Sequence, residues 1–93
     1  MAKVVITARI MPTSPDANLD TIEQESLKII KSKVGSSDTR VKRSPIAFGL
    51  VAVDITFIWD ENLGSPEDIL QPLITQLPDV NSFELTDVRR AIG

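Results

Sequence analysis

The chain has 93 residues, 42% of them hydrophobic, with a net charge of −3 and a pI near 4.8. That supplies apolar material for one compact core, and its acidic balance argues against a general nucleic-acid coat. It holds no Cys, no His and no Tyr, which excludes disulfides, thiol nucleophiles, structural zinc, a histidine general base and a phenolic acid.

Met1-Ala2-Lys3-Val4 runs straight into an alternating pattern with no signal-peptide core. No long charge-free apolar run offers a membrane span. A single domain over residues 1–93, cytoplasmic and without membrane contact, is the expectation. From Lys3 to Met11, Val4, Ile6, Ala8 and Ile10 fall on one face, with Lys3, Thr7 and Arg9 on the other. This period of two predicts a half-buried strand, broken by Pro12-Thr13-Ser14-Pro15-Asp16. Asn18 is a good N-cap, and after it Leu19, Ile22, Ser26, Leu27, Ile29, Ile30 and Val34 make a helical stripe. Its acids come early and its lysines late, as the helix dipole favours, and Gly35-Ser36-Ser37 ends it.

Thr39 to Ser44 is largely polar and reads as a short edge strand, where Arg40, Lys42 and Arg43 discourage unwanted pairing. The longest strand places Val51, Val53, Ile55, Phe57 and Trp59 on one face and Leu50, Ala52, Asp54, Thr56 and Ile58 on the other. Apolar residues on both faces predict a central position. Ser65-Pro66-Glu67-Asp68 starts a second helix with the stripe Ile69, Leu70, Leu73, Ile74 and Leu77. Pro72 should bend it or spoil its first turns, and Pro78-Asp79 stops it. Val80 to Val88 reads as a last strand with Phe83 and Leu85 inward, followed by the tail Arg89 to Gly93. The order β-α-β-β-α-β predicts an α+β ferredoxin-like sandwich: a four-stranded antiparallel sheet with both helices on one face.

Between the edge strand and the central one lies Pro45-Ile46-Ala47-Phe48-Gly49. Pro45 fixes its own φ and extends Ser44, while Gly49 permits positive φ. Phe48 on its own reads first as a core residue at a strand start. Held between two such punctuators, it reads instead as an aromatic anchor for a partner. No carboxylate or lysine pair marks a catalytic site. Asp54 reads as an outward strand residue and Asp60-Glu61 as a polar turn. The four glycines form no phosphate-cradling cluster, so the chain reads as a non-enzyme without cofactor or metal of its own.

Pro45-Ile46-Ala47-Phe48-Gly49-Leu50, the alternating strand after it, the acidic turn Trp59-Asp60-Glu61 and Asp87-Val88 resemble the exchange domain of translation elongation factor 1-beta in its short archaeal form. That family carries Pro-[Ile/Val]-Gly-[Phe/Tyr]-Gly-Ile at the junction, and Ala47 stands where eukaryotic relatives have Gly. The resemblance implies a guanine-nucleotide exchange factor for elongation factor 1-alpha, the GTPase that delivers aminoacyl-tRNA. It implies that Pro45, Ile46, Phe48 and Gly49 meet the partner, with Phe48 entering a pocket. It also implies that the C-terminal segment reaches the partner's magnesium and phosphate region. Eukaryotic relatives place a lysine there; this chain ends Ala91-Ile92-Gly93 without one. Arg89 and Arg90 supply positive charge nearby, and Ile92 is the candidate apolar wedge. Arg89 and Arg90 are read as lying just past the last strand, with the tail contributing little to the fold.

Three other readings share the fold. An RNA-binding module would stack bases on aromatics of the open sheet face; Lys3, Val5, Thr7 and Arg9 are not aromatic, and the Arg40-Lys42-Arg43 run reads as a solvated edge. No direct nucleic-acid contact is expected. The others are a small-molecule regulatory domain and a homo-oligomeric scaffold.

Overall fold

The computed structural model describes residues 3–34 and 39–90. The alternation near the N-terminus becomes β1 (Lys3–Pro12), with Val4, Ile6, Ala8 and Ile10 buried. The ladder continues through Pro12, which pairs with Val80, so the break falls one residue later than the first proline suggested. Next comes α1 (Leu19–Val34), capped by Asn18, whose Oδ1 accepts from the Thr21 N–H at 3.2 Å. Asp20 in its first turn and Lys31 and Lys33 in its last suit the dipole. Its buried residues are Ile22, Ser26 and Ile30. The glycine-serine stretch expected to end this helix lies outside the described residues.

The basic segment forms β2 (Thr39–Pro45), and the apolar run forms β3 (Val51–Asp60), whose Val53, Ile55, Phe57 and Trp59 are buried. Phe57 and Trp59 meet edge to face, ring centroids 6.2 Å apart. The acidic turn closes into a short 3₁₀ turn, Glu61–Leu63, capped by Asp60. Beyond it, Gly64 at φ 96° offers its carbonyl to Trp59 Nε1 at 2.9 Å. This bond satisfies the donor of the largest core side chain.

Helix α2 (Pro66–Ile74) starts with Ser65 as N-cap and Pro66 at the first position. Pro72 sits inside it without interrupting it, and the helix ends two residues later. Leu70 and Ile74 are buried, whereas Leu73, expected in the apolar stripe, is exposed, and Leu77 lies past the helix end. Strand β4 (Val80–Arg90) closes the fold with Phe83 buried and Leu85 packed against the core.

The strand order is β2-β3-β1-β4 with antiparallel neighbours throughout. Ile22 and Ile30 of α1 and Leu70 and Ile74 of α2 share one cluster with the inward strand residues, so both helices cover the same face. This is the expected ferredoxin-like sandwich, with β3 central and β2 at an edge. β4 runs past Val88: Arg89 pairs with Val5 and Arg90 with Val4. The two arginines therefore belong to the sheet rather than following it. The extension depends on a bulge, because Thr7 pairs with Asp87 while Ala8 pairs with Leu85. The extra residue, Thr86, turns its hydroxyl to the Thr7 carbonyl at 3.2 Å.

Candidate functional site

Pro45 pairs with Val51 as the last rung between β2 and β3. Beyond it the Ile46 N–H donates to the Leu50 carbonyl and the Leu50 N–H to the Ala47 carbonyl, both at 2.9 Å. Phe48 and Gly49 occupy the two central positions of the inner turn, at φ 55° and 80°. Positive φ at both is what a hairpin matching the sheet's twist requires, and Asn-Gly is the usual pair. Gly49 meets this demand without strain. Phe48 does not: a left-handed L-residue costs roughly 1–2 kcal/mol.

The turn's backbone hydrogen bonds hold that conformation, while the Phe48 side chain, 96% exposed, packs against no core residue among those described. The core reading of Phe48 is therefore wrong, because its backbone turns the ring outward at the apex. Ile46 beside it is 42% exposed, so the tip presents two apolar side chains to solvent. A Cβ on Gly49 would lie 3.6 Å from the Pro15 ring. The β1–α1 connection thus borders the tip. That connection is tied to the α2–β4 connection by the Thr13 N–H on the Asp79 carbonyl at 2.9 Å.

The residues just before the tip are held on both faces of the sheet. On the helix side, Arg43 bonds Asp20 and Glu23 of α1. On the open side, the Ser44 hydroxyl donates to Asp54 Oδ2 at 2.7 Å. Arg9 grips the same carboxylate with Nε on Oδ1 at 2.9 Å and Nη2 on Oδ2 at 3.1 Å. Asp54 faces outward as expected, yet it is 9% exposed and joins three strands. The Arg9 hydrogen bonds hold its carboxyl below the usual carboxylate range; partial burial opposes them, and the Ser44 hydroxyl and the Arg9 and Lys42 charges add to them. The strand alternation places Asp54 on the outward face, but only the β1–β3 and β2–β3 registers join it to Arg9 and Ser44. A lone acid in an apolar run was the available sign.

The other candidate residues lie elsewhere. Pro45 and Phe48 are at the end where β1 closes on Val80, whereas Arg89 and Arg90 are at the end where Lys3 pairs with Asp60. Ten-residue β1 separates the two ends by roughly 30 Å. Arg89 Nε lies 2.9 Å from Asp87 Oδ2, both side chains well exposed. Val88 is 55% exposed. Ile92 lies outside the described residues.

The remaining aromatics, Phe57, Trp59 and Phe83, are buried. The open sheet face therefore lacks the stacking platform of an RNA-recognition module. Among the described residues no group of acidic, histidine or cysteine side chains is placed to hold a metal, and no helix is long and apolar enough to cross a membrane.

Residues 5–91 match the EF-1 guanine nucleotide exchange domain. The chain is 36% identical over 90 residues to elongation factor 1-beta of Methanobrevibacter smithii, covering 97% of this chain and 98% of that one. It is 38% identical over 82 residues to the elongation factor 1-beta proteins of Thermococcus onnurineus and Pyrococcus horikoshii, with 88% of each chain covered. Among solved structures, the de novo designed protein Foldit4 matches with a TM-score of 0.62 over 98% of both chains. Its 23% identity makes that a likeness of fold alone.

Proposed function

This chain belongs to the family of the EF-1 guanine nucleotide exchange domain, and we propose that it engages its GTPase through the two ends of its sheet. It is a guanine-nucleotide exchange factor that promotes GDP release and GTP reloading on translation elongation factor 1-alpha. Such a factor makes and breaks no covalent bond. It binds the nucleotide-free GTPase better than the loaded one, and by reciprocity it lowers nucleotide affinity by the same factor.

The observation that carries the site is Phe48, a strained aromatic at a hairpin apex with its ring in water. Strain of this kind persists where the surrounding structure over-determines it, and it clusters at functional positions. An aromatic ring on a hydrogen-bonded turn is a good anchor, because the backbone is already fixed and only two side-chain torsions are lost on docking. Phe48 enters an apolar pocket of elongation factor 1-alpha, with Ile46 beside it and Pro45 and Gly49 fixing the hairpin.

Arg89 and Arg90 act at the opposite end, directed at the phosphate and magnesium region of the partner. The Arg89–Asp87 pair is an exposed one, worth about 0–1 kcal/mol, so phosphate oxygens can take the guanidinium over. Cations there compete with the metal for phosphate oxygens and loosen both. The family resemblance assigns the apolar wedge beside them to Ile92, which lies outside the described residues. The long axis of the chain, 41 Å, suits a grip on two separated points of one partner. The chain works as one domain, in the cytoplasm where its GTPase meets the ribosome, and needs no nucleic acid, membrane or cofactor of its own.

The test is release of labelled GDP from elongation factor 1-alpha of the same organism. Added protein should accelerate release in a saturable way without hydrolysing GTP. Equal release rates with and without it would overturn the proposal.

A further inference from the structure

Resting on the assignment of Phe48 as the anchor, a further role falls to residues outside the tip itself. β2 is an edge strand, so its ladder is bonded on one side only, to β3. It is also the strand that leads into the tip, and most of its residues are exposed or half-exposed. A hairpin arm held by backbone bonds alone can splay from its neighbour. Here Ser44, the residue before Pro45, is hooked to Asp54 across the β2–β3 seam. Ser44 pairs with Ala52 in the ladder, so its bond to Asp54 is a diagonal one.

Asp54 is not free to follow β2 outward, because Arg9 holds both of its oxygens from β1. A bidentate guanidinium pair fixes orientation as well as distance. The chain of contacts Arg9–Asp54–Ser44 therefore references the base of the tip to the central strands. On the other face, Arg43 ties the neighbouring position to α1 through Asp20 and Glu23. Two consecutive residues are thus anchored on opposite sides of the sheet immediately before the hairpin turns.

We propose that Ser44 and Asp54, backed by Arg9, are positioning residues that hold the Ile46–Leu50 tip in its docking pose. The network stiffens the free protein, so that Phe48 meets its pocket already aimed.

The experiment is a GDP-release titration of Ser44→Ala, Ser44→Thr and Asp54→Asn, each made with Phe48 present and with Phe48→Ala. Ser44→Ala should raise the half-saturating concentration about three- to tenfold, the size of one hydrogen bond's net contribution. The maximal release rate should stay unchanged. Ser44→Thr keeps the hydroxyl and should restore the wild-type midpoint. In the Phe48→Ala background, the further loss from Ser44→Ala or Asp54→Asn should be smaller than with Phe48 present, because only Ile46 remains to be aimed. Backbone ¹⁵N order parameters at Phe48 and Gly49 should fall in Ser44→Ala and recover in Ser44→Thr, whatever the melting temperature does.

An unchanged midpoint in Ser44→Ala would overturn the proposal. So would equal losses with and without Phe48, which would leave the anchor intact but detach the network from it. A Phe48→Ala protein with the wild-type midpoint would remove the anchor and the positioning role together.

Discussion

Replacing Phe48 with Ala separates docking from folding, because the ring contributes almost nothing to the folded chain. At 96% exposure no core cavity forms on truncation, and a surface change of this kind stays within about 0.5 kcal/mol. For a chain of this size that is a shift in Tm of under about 4 °C. Were the ring part of the core, the loss would be about 3–5 kcal/mol and the shift more than about 12 °C. On the proposed docking the same ring leaves water, so its loss should cost roughly 2 kcal/mol or more, about a thirtyfold rise in the half-saturating concentration. Phe48→Gly sharpens the test. It relieves roughly 1–2 kcal/mol of left-handed strain and adds about 0.4–1 kcal/mol of unfolded-chain entropy. The expected outcome is a protein as stable as the parent or slightly more so, yet equally impaired in docking. The assays are thermal unfolding by circular dichroism and fluorescent GDP release titrated with each variant. A folded Phe48→Ala protein with the parent's concentration dependence would refute the reasoning.

Asp54 carries a pH signature. Its folded carboxyl titrates below the ordinary range, so the stabilisation it gives is present above the unfolded value, about pH 4. It is lost as pH falls through the folded value. Asp54→Asn should flatten the acid limb of Tm against pH and lower stability at neutral pH by about 1–2 kcal/mol; an unchanged acid limb would exclude the pairing. Ser26 is fully buried and its Oγ has no hydrogen-bond partner among the described residues. Ser26→Ala should therefore raise stability by about 1 kcal/mol, read as an increase in Tm of about 4–8 °C. Replacing both Arg89 and Arg90 with Ala should slow GDP release while leaving Tm nearly unchanged, since both side chains are exposed and their backbone pairs with Val5 and Val4 survive. Excess magnesium should oppose the intact protein's effect but not the residual activity of the double variant.

The strands and helices were legible because their signals are local. The period of two from Val4 to Ile10 is reproduced residue for residue in the burial of β1, and Asn18 and Ser65 cap the helices as their side chains dictate. Phe48 was only half legible: Pro45 and Gly49 marked a turn, but an aromatic beside an apolar run is equally good core material. Arg9 and Asp54, 45 residues apart, could not be joined without the β1–β3 register. The end of β4 was missed for a different reason. From Thr86 on every residue of β4 is exposed, so Arg89 and Arg90 carry no inward-outward pattern that would identify them as strand. Arg89 and Arg90 looked like a tail, although they are rungs of the ladder.

The central claim is that Phe48 enters the GTPase when nucleotide leaves. It is tested most directly by placing a photoreactive phenylalanine analogue at position 48 and irradiating the protein with elongation factor 1-alpha. The expected result is a strong crosslink to the nucleotide-free GTPase that fades as GDP and magnesium are added together. A protein that still accelerates GDP release, yet gives no crosslink from position 48 in any nucleotide state, would contradict it.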